Sequence, residues 1–191
     1  MFCEDFDTGA LDPTVWSFFG GSNAIGRVSA FVLAPSPPNT LELRNPLGTS
    51  SAQIQIATWP VRARLSMAYY PYEYSPGNLL RIEYGSSMSL VLRVTSGDPR
   101  MKLVALETLA DGGVDETTIG TSFFAPPLAS WSTLVIQVDS SFEFPRVSLW
   151  LNGTQQVLSE ALPWFIIDSP KRIYLDAMGE GVRIDDLVIE M

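Results

Sequence analysis

The sequence predicts an all-β protein built as an antiparallel sandwich of two sheets, and three observations support this prediction. Runs of alternating or β-branched residues dominate from about residue 25 onward. Short breaks rich in Gly, Pro, Asn and Ser separate these runs, which is typical of antiparallel strands and not of helical crossovers. The most helix-like stretch, LSEALPWFIID, is interrupted by Pro163 and has room for about one helical turn.

Twelve segments have the pattern of strands, and a chain of 191 residues fits one domain, residues 1–191. In chain order the predicted strands are IGRVSAFVL, NTLELRN, AQIQIAT, VRARLSMAYY, LLRIEYG, SMSLVLRVT, MKLVALETL, DETTIGTSF, STLVIQVD, RVSLWLNG, KRIYLDAM and VRIDDLVIE.

Alternation within these segments predicts which faces are buried. In AQIQIAT, Ile54 and Ile56 point to one side and Gln53 and Gln55 to the other. In VRARLSM, the side chains predicted to face the core are Val61, Ala63, Leu65 and Met67. Since each sheet then has one apolar and one wet face, two such sheets must cover each other.

The first 24 residues differ from the rest, because they are aromatic and rich in glycine. Phe6, Leu11 and Trp16 are predicted to anchor an irregular opening segment in the core, and Asp12 and Pro13 to begin a turn.

The charge of the chain restricts its partners. Twelve basic and twenty-one acidic residues give a net charge of −9, which repels phosphate backbones and anionic membranes, so we expect no nucleic-acid partner. No apolar run reaches the ~18 residues of a membrane-spanning helix, so we expect no membrane insertion. The beginning, MFCEDFD, does not have the pattern of a signal peptide; a mature soluble domain, an excised fragment and export by another route remain alternatives.

The composition also excludes most hydrolase chemistry. There is no histidine, so neither a Ser-His-Asp triad nor a histidine zinc site is available. The one cysteine, Cys3, cannot form an internal disulfide and is interpreted as a buried or spare thiol near the terminus. Glycosidase chemistry with two carboxylates stays conceivable, since it needs only a pair of acids.

Three motifs resemble the concanavalin A-like lectin/glucanase superfamily: FDTGALDPTVW, WSTLVIQVDSSFEFPRVSLWLNGTQQV and IDDLVIEM. They are most similar to laminin-G-like domains, MAM domains and reelin repeats. The resemblance implies a jelly-roll sandwich whose first and last strands are neighbours. The superfamily's glucanases carry an E-x-D-x-x-E motif and its polysaccharide lyases use a histidine. This sequence has neither, so we expect a protein that is not an enzyme.

The same resemblance implies that acidic residues from the two ends of the chain meet. The candidates are Glu4, Asp5, Asp7, Asp185 and Asp186, of which alternation lets only one of each adjacent pair face the same way. Close carboxylates repel by roughly 1 kcal/mol per pair, and Ca²⁺ would remove this repulsion. MAM and reelin-type domains place a structural cation here, so structural Ca²⁺ is predicted. The alternative is hydrogen bonding from backbone amides, or from Arg183, without a metal.

The most aromatic stretch, WPVRARLSMAYYPYEYSPGN, supplies the candidate ligand-binding residues. They are Trp59, Tyr69, Tyr70, Tyr72 and Tyr74. Tyrosine rings exposed on a loop or a concave sheet face can stack on sugar rings or form a protein interface. The alternative interpretation is a strand end whose tyrosines alternate between core and rim.

Asn152, Gly153 and Thr154 match a glycosylation acceptor, but Asn-Gly is also the strongest signal for a two-residue hairpin, which we favour. The resulting hypothesis is a recognition or adhesion module that binds carbohydrate, located outside the cell, on a cell surface or on a virion. A second hypothesis is a structural virion or cell-surface assembly protein that makes protein contacts and can form oligomers. A glycan-cleaving enzyme is the weakest hypothesis.

Overall fold

The computed structural model describes residues 1–56, 60–74, 76–95, 99–164 and 171–190. Within these ranges the chain forms thirteen strands, and every pairing between them is antiparallel. In chain order the strands are β1 (Phe2–Glu4), β2 (Trp16–Gly20), β3 (Ile25–Ala30), β4 (Asn39–Ile56), β5 (Arg62–Pro71), β6 (Gly77–Tyr84), β7 (Met88–Val94), β8 (Arg100–Thr108), β9 (Val114–Phe124), β10 (Ser132–Asp139), β11 (Arg146–Leu151), β12 (Thr154–Ala161) and β13 (Lys171–Glu190).

The strands form two layers, as the sequence predicts. The first layer has the order β2, β4, β13, β6, β7, β8, β9 and uses the end of β4 and the beginning of β13. The second layer has the order β3, β4, β13, β5, β10, β11, β12 and uses the beginning of β4 and the end of β13, with β1 alongside. The two-sheet jelly-roll prediction is confirmed, and the first and last strands are neighbours.

Two long strands, β4 and β13, run through both layers. Each contains two of the predicted strands, NTLELRN and AQIQIAT in β4 and KRIYLDAM and VRIDDLVIE in β13. The residues between the two predicted strands form a bulge and not a turn, so the strand continues. The bulge in β13 lies between Met178 and Val182, where the register to β4 shifts. Gly181 there has a φ of +89°, and a Cβ on it would lie 2.1 Å from the carbonyl oxygen of Leu43. Only glycine fits this crossing without displacing the neighbouring strand.

One hydrophobic core lies between the layers and contains residues from both. The alternation in AQIQIAT is confirmed, since Ile54 is buried while Gln55 is exposed. Phe6 and Trp16 are core residues as predicted, and Leu11 packs partly against them.

The predicted burial is wrong at one position of VRARLSM. Val61 is 60 % exposed, because β5 begins one residue later, at Arg62. Three strands were not among the twelve predicted. Strands β1 and β2 lie in the opening segment, which was predicted to be irregular, because each pairs with a distant strand of the sheet. The residues of β12 overlap the stretch that most resembles a helix. The described part of the chain contains no helix long and apolar enough to cross a bilayer.

Candidate functional site

The predicted acidic cluster begins at Glu4, which lies opposite Leu187 in the pairing of β1 with β13. Leu187 is a core residue, so Glu4 lies on the inner side of the second layer. There its two carboxylate oxygens accept hydrogen bonds from the Phe6 backbone N–H (3.1 Å) and the Trp16 indole N–H (3.3 Å).

Asp185 lies on the opposite, outer face of the second layer, since its neighbour Ile184 points into the core. It is fully buried and accepts three hydrogen bonds. The Ser36 backbone N–H and hydroxyl each donate at 3.0 Å, and the Asp186 backbone N–H donates at 2.9 Å. Burial raises the pKa of Asp185, and the hydrogen bonds from Ser36 oppose that rise.

Asp5 and Asp7 are exposed after β1, where an Asp5 oxygen accepts a hydrogen bond from the Asp7 backbone N–H at 3.1 Å. Among the described residues, no three or more His, Cys, Asp or Glu side chains form a group that could hold a metal ion. The structure thus brings the terminal strands together but places Glu4 and Asp185 on opposite faces. Backbone amides supply hydrogen bonds to both carboxylates, and the calcium site stays a prediction.

The candidate tyrosines Tyr69 and Tyr70 also lie on opposite faces of the second layer. Tyr69 faces the core, and its burial raises the pKa of its phenol. Tyr70, the next residue along β5, faces outward but is also buried. Its ring packs against Phe31, Trp131 and Tyr72, with centroids 5.2, 5.3 and 5.4 Å away.

Residues 31–38, which we call the covering segment, close this end of the outer face. The Trp131 indole N–H donates to the Leu33 carbonyl oxygen, and Ser36 bonds Asp185 as described. The covering segment therefore buries Tyr70 and Asp185 under the protein's own chain, so neither faces solvent.

Arg183 is the polar centre beneath the covering segment. Its Nε donates to the Tyr72 hydroxyl (2.5 Å), and its Nη1 donates to the Ser29 and Thr40 hydroxyls (both 2.9 Å). Its Nη2 lies 3.5 Å from a carboxylate oxygen of Glu42, and both side chains are buried. Burial opposes ionisation of Glu42, but Arg27 and Arg183 outweigh it and hold the pKa of Glu42 below its ordinary value.

The remaining candidates lie elsewhere. The Tyr74 hydroxyl donates to the Pro126 carbonyl oxygen at 2.9 Å, and its ring packs against the core. Trp59 lies outside the described residues. The structure therefore does not join the described tyrosines into one exposed platform, because Tyr69 and Tyr70 are buried on opposite faces of one strand.

The opposite end of the same outer face is open. A pocket of about 270 Å³ is lined by Arg64, Val135, Gln137, Trp150 and Gly153. An adjoining pocket of about 330 Å³ is lined by Arg62, Ala63, Arg64, Gln137 and Glu190. The two pockets share Arg64 and Gln137, and we call them together the open groove.

Strand alternation places the residues of the open groove on the outer face. Leu149 is buried in the core, so Trp150 points outward and remains partly exposed. Trp150 lies opposite Val135 on β10, and Arg64 on β5 lies opposite Gln137. An indole ring and hydrogen-bonding side chains therefore face the same opening.

The turn after β11 forms one wall of the groove. Asn152 and Gly153 both have positive φ, 51° and 74°, as a two-residue type I′ hairpin requires. The Asn152 side chain accepts a hydrogen bond from the Thr133 backbone N–H (2.8 Å) and donates one to the Ser132 hydroxyl (3.2 Å). The hairpin prediction is confirmed, and both ends of the Asn152 amide are used within the fold.

Sequence reasoning missed Trp150, which it treated only as part of the late hairpin motif. The signal was present in RVSLWL, where Val147 and Leu149 alternate as core residues. A tryptophan out of phase with them falls on the wet face, where an exposed aromatic ring suggests a ligand.

No family model matches the chain, and no curated protein matches it by sequence. Solved structures do match. The globular domain of T. cruzi calreticulin has a TM-score of 0.65 and 10 % identity, and the match covers 99 % of this chain and 87 % of that one. Domain 4 of an extracellular arabinanase from Geobacillus stearothermophilus, in complex with arabinotriose, has a TM-score of 0.62 and 14 % identity, covering 96 % and 87 %. A legume lectin-like domain from Entamoeba histolytica has a TM-score of 0.59 and 9 % identity, covering 93 % and 90 %.

These identities carry information about the fold alone. The two antiparallel layers, the neighbouring terminal strands and the match over nearly the whole chain agree with one another. The chain has a concanavalin A-like β-sandwich fold.

Proposed function

We propose that this protein is a carbohydrate-binding module that holds a sugar ring against Trp150 in the open groove. The observation that carries the proposal is the combination of a partly exposed indole with Arg64 and Gln137 in one opening. An apolar ring face stacks on an aromatic side chain, and polar side chains beside it fix the orientation of the hydroxyl groups. Carbohydrate-binding and lectin-like domains among the structural neighbours support the same assignment.

The proposed module binds glycans without cleaving them. Cleavage of a glycosidic bond ordinarily needs two carboxyl groups placed about 5 Å or 6.5–9.5 Å apart around the bond. Among the residues that line the open groove, Glu190 is the one carboxylate, and it forms an ion pair with Arg64. We place the module outside the cell or on a cell or particle surface, where glycans are accessible.

The test compares Trp150→Ala with Phe19→Ala on a glycan array, followed by titration calorimetry with the best ligand. Phe19 is a half-exposed aromatic residue on β2, in the other layer, and so controls for the loss of any surface ring. We expect Trp150→Ala to weaken binding at least about fivefold, since stacking of a ring is worth about 1 kcal/mol or more, and Phe19→Ala to leave it unchanged. Silence of the unmodified protein across the array, or equal binding by both variants, would contradict the proposal.

A second candidate function, assembly through protein contacts, is favoured by one observation. Val32 is 96 % exposed and Leu33 61 % exposed, so two consecutive apolar residues of the covering segment face solvent. Light scattering separates the two functions. A stable oligomer that Val32→Asp converts to a monomer would favour assembly, whereas a monomer that binds glycans would favour the first proposal.

A further inference from the structure

The charges around the open groove differ from those of the chain as a whole. Three of the ten arginines lie at this end of the outer face, although the chain carries a net charge of −9. Arg62 and Arg64 lie on β5, and Arg146 lies on β11, where it pairs with Asp139 of β10. Asp139 forms an ion pair with Arg62 and Glu190 forms one with Arg64. Among the residues that line the open groove itself, two arginines stand against one carboxylate.

The ion pair at the mouth of the groove is weak. Arg64 Nη1 lies 3.4 Å from a Glu190 oxygen, and about half of each side chain remains exposed. Exposed pairs of this kind contribute about 0–1 kcal/mol. The Arg64 guanidinium therefore keeps N–H donors for an anion from outside, and a ligand can displace Glu190 at little cost.

Asp139, in contrast, is fixed in place. One of its oxygens accepts hydrogen bonds from the Ser141 hydroxyl (2.6 Å) and the Ser141 backbone N–H (2.9 Å), and the other accepts from Arg62 Nε at 2.9 Å. These bonds, first of all that from the Ser141 hydroxyl, hold the pKa of Asp139 below its ordinary value. Asp139 thus orients Arg62 beside the groove and leaves most of the Arg62 side chain exposed.

Resting on the proposed function, we infer that the sugar bound in the open groove carries an anionic group, a carboxylate or a sulfate, that Arg64 binds while the ring stacks on Trp150. Arg64 lines both pockets of the groove and shares one of them with Trp150. The planar guanidinium presents a fork of N–H donors that matches a two-oxygen anion. A neutral sugar would leave this donor fork facing only hydroxyl groups.

The test uses two polymer pairs that differ in charge: polygalacturonate with its methyl ester, and dextran sulfate with dextran. We expect the protein to bind at least one charged polymer about tenfold more tightly than its neutral partner, with an affinity that falls as salt is added. Preference within the first pair identifies a carboxylate, and preference within the second identifies a sulfate. Equal affinity for charged and neutral partners, or no binding of either charged polymer, would overturn the inference.

Three variants locate the effect. Arg64→Met should remove the preference for the charged polymer, and Glu190→Gln should retain or strengthen it, because a competing carboxylate is lost. Arg172→Met is the matched control, since the Arg172 side chain in the first layer is as exposed as that of Arg64 and lies 3.5 Å from a Glu83 carboxylate oxygen. Loss of preference in the Arg172 variant to the same extent as in the Arg64 variant would contradict the inference. Failure of the proposed function is distinguishable, because it appears as silence across the whole glycan array or as glycan binding that Trp150→Ala leaves unchanged. Failure of the inference alone appears as equal affinity for charged and neutral polymers with binding that still depends on Trp150.

Discussion

The two ends of the second layer's outer face carry similar side chains in opposite surroundings. At one end, Arg183 and Tyr70 are buried beneath the covering segment. There Arg183 donates hydrogen bonds to neighbouring hydroxyl groups, and Tyr70 packs against neighbouring aromatic rings. At the other end, Arg64 and Trp150 line an opening to solvent. The comparison teaches that an arginine beside an aromatic ring does not by itself mark a binding site on this sheet. What distinguishes the open groove is that no part of the described chain crosses it.

The largest expected effect separates the two arginines by stability. Arg183→Met should lower the free energy of unfolding by about 3–5 kcal/mol, because it removes three hydrogen bonds donated by a buried cation and one of the two arginines beside the buried Glu42. Arg64→Met, the matched variant at the open end, should change it by less than about 0.5 kcal/mol. Urea denaturation measures both values. Equal losses in the two variants would contradict the division into a covered and an open end.

The bulge that carries β13 from one layer to the other should also be sensitive. Gly181→Ala should cost about 2–4 kcal/mol, since it combines a positive φ with a Cβ 2.1 Å from the Leu43 carbonyl oxygen. Gly21→Ala is the control, because a Cβ there meets no atom within 4 Å. Thermal and urea unfolding of both variants measure the difference. A Gly181 variant as stable as the Gly21 variant would show that the crossing tolerates a side chain.

The two outer-face aspartates should give opposite dependences of stability on pH. The folded-state pKa of Asp185 is raised by burial, so its contribution to stability falls as pH rises above 3.8. The folded-state pKa of Asp139 is lowered by Ser141, so its contribution is present above 3.8 and is lost as pH falls below that value. The difference in unfolding free energy between variant and unmodified protein should therefore rise with pH for Asp185→Asn and fall with pH for Asp139→Asn. Slopes of the same sign would contradict the assigned environments.

The smallest expected effect concerns calcium. The calcium hypothesis predicts that EDTA lowers the melting temperature and that added Ca²⁺ restores it by mass action, with Asp185→Asn abolishing the response. An unchanged melting temperature would favour the arrangement in which Ser36, Asp186 and Phe6 supply the hydrogen bonds to the carboxylates.

Local patterns in the sequence predict the architecture well but the site poorly. Period-2 alternation identifies strands such as β5 and β10, since each residue's face is set by its immediate neighbours. The merging of two segments into β13 depends on a bulge that lets Gly181 approach Leu43, a contact over more than a hundred residues of chain. Local patterns likewise do not predict that the covering segment packs on the outer face, because Ser36 and its partner Asp185 are 149 residues apart.

In the candidate site, too, local patterns predict the face on which a residue lies but not its distant neighbours. The tyrosines of MAYYPYEY are candidates because this stretch is the most aromatic of the chain. Local patterns do not predict their burial, since Tyr69 is covered by the opposite layer and Tyr70 by the covering segment. Trp150, in contrast, could have been predicted to face outward from its phase relative to Leu149. Its role as a candidate became visible only when Arg64 and Gln137, from two other strands, were placed beside it.

The most direct test of the account follows the indole N–H resonances of the five tryptophans by NMR during titration with the best glycan from the array. Spectra of Trp150→Phe and Trp131→Phe assign the resonances at the open and covered ends. The account predicts that the Trp150 resonance shifts progressively with ligand while the Trp131 resonance stays in place. A shift confined to Trp131, or a bound glycan that leaves Trp150 unmoved, would contradict the claim that the open groove binds the sugar.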